Sequence, residues 1–425
     1  MKKIKPLFVA VTVLTLLVMS MGVRAEDQNI SAEPDSETLP RAVASGLDYL
    51  LGLVGQKGAA LDPARVDPLI EFASREGYPF EKVLPPQRQS GKGICLKTTV
   101  AASLERILRY AYNPQIPNFV VYPSVLRLSG WYPGSEIGTG KRRLWQELNN
   151  LRKPLLVWGR EYEVNTPDSF SGAYYRYDLE RVLGLMKHKR GRVAVSISKM
   201  PEKSAVGKKA VIIDDNNWNY FYSGIEGLNL KIFGGMDTYM YDSESVVVYY
   251  QADKNVPRTT VLVFKWLRAG WAGINVVRPH HIYEGSIRFA EGIKAVMEAD
   301  GLPPSEVFAE HLNYLRNLSD TGIEAKIREY STNFEKIAKG HQDMTKPDFA
   351  RIIKQGGYAE VLNREERLGV LVLECLKRYV GKPTLVKLAS PPSRKKMHLD
   401  TASKGWLKKP EGQKRVEKTT SGRNS

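Results

Sequence analysis

Hydrophobic positions recur with two different periods along this chain, and the change of period divides it. Between residues 38 and 191 the helical spacing dominates. Leu39, Val43, Leu47, Leu50, Leu51 and Val54 share one face of a helix predicted from Ser36 to Val54, and Val66 to Glu76 forms a second. From Gly91 to Asn113 a Gly-bracketed loop leads into a longer amphipathic pattern with Leu96, Val100, Leu104, Ile107, Leu108 and Ala111 on its apolar side. The spacing also predicts helices over 141–151 and 177–187, and short strands over 118–122 and 154–158. The stretch from Tyr112 to Gly140 is rich in Pro, Gly and aromatics and reads as a long structured loop.

From Arg192 the period falls to two. Runs at 192–198, 209–213, 219–223, 230–233, 244–250 and 259–266 are short, β-branched and aromatic, with polar or Gly-containing turns between them. They predict a mostly antiparallel sheet over 192–278, its last strand at 274–277. Helical spacing returns at Pro279 and persists to Gly381, with capping-box spacing at Thr321/Glu324 and Asn363/Glu366. The fold class that follows is α+β: a central mostly antiparallel sheet, a helical N-terminal part and a C-terminal helical bundle.

The two ends carry a different signal. Lys2, Lys3 and Lys5 precede an apolar run from Leu7 to Met19, and Val23-Arg24-Ala25 has the small residues of a cleavage site. The pattern predicts a signal peptide over 1–25, cut near Ala25, and a periplasmic or secreted mature chain. An acidic leader over 26–37 follows. The net charge of +17 shrinks once the ends are set apart. Four bases lie in the signal peptide and a net +7 in residues 391–425, leaving +6 for the rest. The basic tail over 382–425, with Arg394, Lys395, Lys396, Lys408, Lys409, Lys414 and Arg415, suits attraction to an anionic envelope surface or polymer. That distribution argues against specific nucleic-acid binding.

Candidate chemistry is sparse. The helical reading places Cys95 at a helix N-terminus, where peptide dipoles favour a thiolate. A thiol hydrolase also needs an imidazole, and no His falls on a predicted core strand. Two cysteines in an oxidising compartment predict a Cys95–Cys375 disulfide, with buried free thiols as the other structural reading. His280, His281 and Glu284 have spacing that can face one metal ion from a helix. Asp214 and Asp215 end the most apolar strand, where carboxylates serve as ligands or acid–base pairs. Asp215, Asn217, Asn219, Ser223 and Glu226 fit the spacing of a calcium loop, although Tyr220 stands where the sharp turn calls for Gly. No phosphate-cradling Gly-rich loop and no nucleophile elbow of the form G-x-S-x-G occurs. The expectation is an exported soluble envelope protein with a non-catalytic binding or scaffold role. The competing class is an extracytoplasmic hydrolase using Cys95 or the Asp214/Asp215 pair.

Overall fold

A computed structural model describes residues 37–229, 235–355 and 357–388. The expected signal peptide, nearly all of the acidic leader, the strand expected at 230–233 and the seven basic tail residues lie outside these. Helices, in chain order, are α1 (Arg41–Gly52), α2 (Pro63–Ala73), α3 (Leu104–Ala111), α4 (Leu144–Asn150), α5 (Pro279–Met297), α6 (Ser305–Arg316), α7 (Asp320–Ala338), α8 (Pro347–Lys354) and α9 (Arg364–Tyr379). Strands are β1 (Lys92–Val100), β2 (Leu126–Trp131), β3 (Leu155–Asn165), β4 (Ala173–Tyr174), β5 (Arg176–His188), β6 (Gly191–Lys199), β7 (Lys208–Asp214), β8 (Asn219–Glu226), β9 (Tyr239–Gln251), β10 (Thr259–Trp271) and β11 (Ile274–Asn275).

The α+β expectation holds. An eight-stranded sheet runs β1-β10-β9-β6-β5-β3-β2, with β11 pairing β10, and a smaller sheet runs β4-β7-β8. Every ladder in both is antiparallel. Among the described residues no helix is long and apolar enough to cross a membrane.

The large sheet has two buried faces, and this explains where sequence periodicity misleads. On one face Cys95, Val182, Val193, Val195, Ile197, Val246, Val248, Leu262, Phe264 and Trp266 pack with α1 and α2 into one core. On the other, residues such as Ile94, Leu183, Ala194, Val247, Tyr249, Val261 and Val263 join a second core with α3, α5 and the C-terminal helices. A strand apolar on both sides loses its alternation and can pass for a helix. The segment around Cys95 is such a case. It forms β1, paired with β10 from Lys92↔Leu267 to Val100↔Thr259, and not a helix N-terminus. The helix begins later, where Ser103 caps α3 by accepting a hydrogen bond from the Arg106 amide at 3.2 Å. The 177–187 stretch likewise forms β5 and not a helix. The short strand expected at 118–122 is a single turn of 3₁₀ helix over Asn118–Val120. The sheet therefore starts at residue 92 and recruits much of the part expected to be mainly helical.

The C-terminal helices follow the sequence closely. Asn363 and Glu366 form the expected capping box. At α7 the cap is Ser319, whose side chain accepts from the Gly322 amide, in place of Thr321. These helices close over the small sheet through an aromatic cluster in which Phe221 of β8 stacks on Tyr358 at 4.6 Å and meets Phe349 edge-on at 5.7 Å.

Candidate functional site: a polar-floored cavity under one helix

Each strand sends alternate side chains to the face opposite α1 and α2, and registry lines them into rows. One row crosses four strands: Lys265 on β10 sits beside Ser245 on β9, Ser245 beside Ser198 on β6, and Ser198 beside Arg181 on β5. Above this row the sheet and the cover do not meet. Between them lies a cavity of about 280 Å³, open to solvent along one side. Its apolar wall includes Leu126, Val247, Tyr249, Val263, Leu267 and Phe289, and its cover is the first half of α5 with the loop segments around Tyr122 and Thr166. Exposed Ser169 and partly exposed His281 form the rim. There Ser169 donates to Glu284 at 3.0 Å, and the ring of Phe170 stacks on His281 at 4.5 Å.

The floor is a network of charges with unequal pairing. Arg181, 12 % exposed, donates through Nε to Glu161, through one terminal nitrogen to Glu163 at 3.2 Å and through the other to Ser196 at 2.8 Å. Tyr177 donates to Glu163 at 2.9 Å, and the Asn118 amide nitrogen to Glu161 at 2.8 Å. Burial pushes the Glu161 carboxyl up to about 7, against the opposing pull of Arg181. The Asn118 carbonyl oxygen is buried and accepts no hydrogen bond.

Lys265 stands apart from this network. Its ammonium donates to the Ser243 hydroxyl at 2.5 Å, and among the described residues no carboxylate stands within ion-pairing reach. Part of its surface opens to the cavity although it lies deep inside the molecule. Desolvation pulls its pKa down to about 8, with Glu163 and Asp242 acting the other way and Arg181 adding to the fall. The chain thus keeps an incompletely paired cation on the floor of this cavity.

The residues singled out from sequence lie elsewhere or are engaged in structure. Cys95 is fully buried on the opposite face of the sheet, and desolvation drives its thiol well above the ordinary range, away from thiolate. Cys375 is buried in the other core, with its thiol pushed up to about 12. Both are free thiols, and the expected disulfide is absent because the two lie in separate cores on opposite sides of the sheet.

Asp215 is held by Arg288 of α5 through two bonds of 2.7 and 2.9 Å and by the Tyr220 hydroxyl at 2.5 Å. Asp214 accepts from Asn217, closing the turn between β7 and β8. The calcium spacing does not make a calcium loop: Asn219 turns to the buried Lys377, Asp215 to Arg288, and the flanks are strands. The metal spacing does not converge either. His281 accepts from the Arg278 amide through Nδ1, capping α5, while Glu284 takes the Ser169 hydroxyl. Among the described residues no group of three or more His, Cys, Asp or Glu side chains is placed to hold a metal.

Lys265, Arg181, Glu161 and Glu163 were not anticipated as a site. Their signal is present in the sequence: a lone Lys inside TTVLVFKW, and two carboxylates, Glu161 and Glu163, at alternate positions along 159–165, which a strand turns to one face. No protein-family model matches the chain, and no match is found among the curated proteins.

Proposed function

We propose that this protein is exported and acts as a non-catalytic binding protein, holding one small and largely apolar molecule between the sheet and α5. The observation that carries this reading is the cavity itself. At about 280 Å³ it is roughly twice the size of an engineered apolar cavity of about 150 Å³ that takes benzene, so it suits a ligand of ~12 non-hydrogen atoms. A mostly apolar wall with a few convergent polar groups is the usual make-up of small-molecule sites. The leader over 1–25 supports export, and Arg394, Lys395, Lys396, Lys408, Lys409, Lys414 and Arg415 would hold the loaded protein near an anionic surface.

Gly285 supplies the test. It lies on α5 at the cavity wall, and a Cβ built there meets nothing within 4 Å. Gly285→Leu therefore projects into the empty space and removes a helix-interior glycine, a gain of about 0.5–1 kcal/mol in helix propensity. Titration with the small polarity-sensitive fluorophore 1-aminonaphthalene, which matches the cavity in size, is expected to show one site per wild-type chain and at least ~10-fold weaker binding in the variant, since leucine fills the volume the probe needs. Equal affinity in the two proteins would place the binding elsewhere. For the tail, deletion of 391–425 is expected to leave the melting temperature unchanged and release the protein from phosphatidylglycerol vesicles, with retention on the vesicles as the contrary result.

A further inference from the structure

The cavity floor says more about the occupant than its volume does. An ammonium has three N–H donors, and Lys265 uses one on Ser243. Glu163, the carboxylate with the strongest pull on it, has its oxygens taken by Arg181 and Tyr177. Beside Lys265 in the same row, the hydroxyls of Ser245 and Ser198 share a single hydrogen bond of 2.7 Å, which leaves one of their two protons to donate elsewhere. Cation and hydroxyls thus stand side by side on neighbouring strands, facing the cavity, with apolar Val247 and Val263 one row further along.

Resting on the binding role proposed above, we infer that the ligand is a carboxylate carrying an apolar chain of about ten carbons, its head group on Lys265 and the Ser245/Ser198 pair and its chain along Val247, Val263 and Phe289 under α5. The head group completes the hydrogen bonding of the buried ammonium, and the chain covers the apolar wall. Glu161, behind Arg181 and pushed up to about 7 by burial, can take up a proton as the anion enters and so offset the added negative charge. Leaving a buried cation short of partners costs stability, and such a group is retained where a ligand supplies what is missing.

The experiment compares decanoate, decanol and decylammonium by calorimetric titration of the full mature chain. A hydrogen bond to a charged group corresponds to roughly a 10- to 100-fold change in affinity, so decanoate is expected to bind at least ~10-fold more tightly than decanol, and decylammonium most weakly. Lys265→Met keeps most of the length of the side chain and removes the charge. It is expected to reduce decanoate to the affinity of decanol and leave decanol within about threefold of the wild type, since only the charged head loses its partner. Thermal melts establish that the variant is folded, and Lys265→Arg is expected to restore part of the preference for the anion. Equal binding of decanoate and decanol, with Gly285→Leu still blocking both, would overturn the carboxylate assignment and leave the binding role standing. Absence of binding by all three probes would overturn both.

Discussion

Replacing Arg181 with methionine is expected to destabilise the fold by about 3–5 kcal/mol, the range found when one partner of a buried ion pair is removed and the other stays behind. Glu161 is 1 % exposed and Glu163 7 %, and Arg181 is the cation in contact with both. Without it two carboxylates stay buried at the cavity floor with Asn118 and Tyr177 as their hydrogen-bonding side-chain donors among the described residues. The deficit should depend on pH, with a determined sign. Glu161 has a folded-state pKa raised from 4.5 to about 7, so the folded chain holds this proton more strongly than the unfolded one. Its contribution to stability is full below about 4.5 and is lost as pH rises through about 7. Arg181 opposes that rise, and its removal exposes more of it. Denaturant titrations from pH 4.5 to 8 should show the variant closest to wild type in acid and furthest from it at pH 8. A deficit below ~1 kcal/mol, or one flat across this range, would mean that the floor relaxes or hydrates enough to dispense with the guanidinium.

An effect of similar size is expected for Lys377→Met, at a place with no connection to the cavity. Lys377 and Glu374 on α9 are 0 % and 1 % exposed and lie 2.6 Å apart. Lys377 also donates to Asn219 of β8 at 2.7 Å, and Glu374 accepts from the Leu385 amide. The pair ties the last helix to the small sheet and to the chain that follows. Loss of the ammonium leaves a carboxylate buried with one amide donor, at a cost of about 3–5 kcal/mol. The double variant Lys377→Met, Glu374→Leu should recover most of that loss, because replacing both partners with apolar groups is close to neutral where replacing one is not. Unfolding midpoints for the four members of the cycle measure the coupling. A double variant no more stable than Lys377→Met alone would show that the apolar surroundings, and not the stranded charge, set the cost.

How much of this was legible beforehand depended on whether one face or two of an element is buried. The helices α5, α6, α7 and α9 have one apolar stripe and a wet side, and their starts read from spacing and caps to within a few residues, whereas the short α8 was not anticipated. In β6, β9 and β10, β-branched runs declare strands despite burial on both faces. In β1 and β5 the same burial coincides with leucines and charged residues at helical spacing, and the period misleads. The site was hidden for a related reason. Arg181 lies on the strand read as a helix, and Lys265 looked like one base in an apolar run until its neighbours across the sheet, Ser245 and Ser198, were brought alongside by registry. Cys95 drew attention through a helix that begins only at Leu104, so the chemistry assigned to it followed from the element and went with it.

The alternation along β10 has a consequence for how this protein can vary. Lys265 faces the cavity while Phe264 and Trp266, one residue either side, fill the opposite core. Substitution at any one of the three touches one compartment. Insertion or deletion of a single residue upstream within the strand exchanges the two, sending an ammonium among Val248, Leu262 and Phe72 and two aromatic rings into the binding space. Length is therefore under tighter constraint than composition here, and the turn at 252–258 between β9 and β10 is where the chain has room to gain or lose residues.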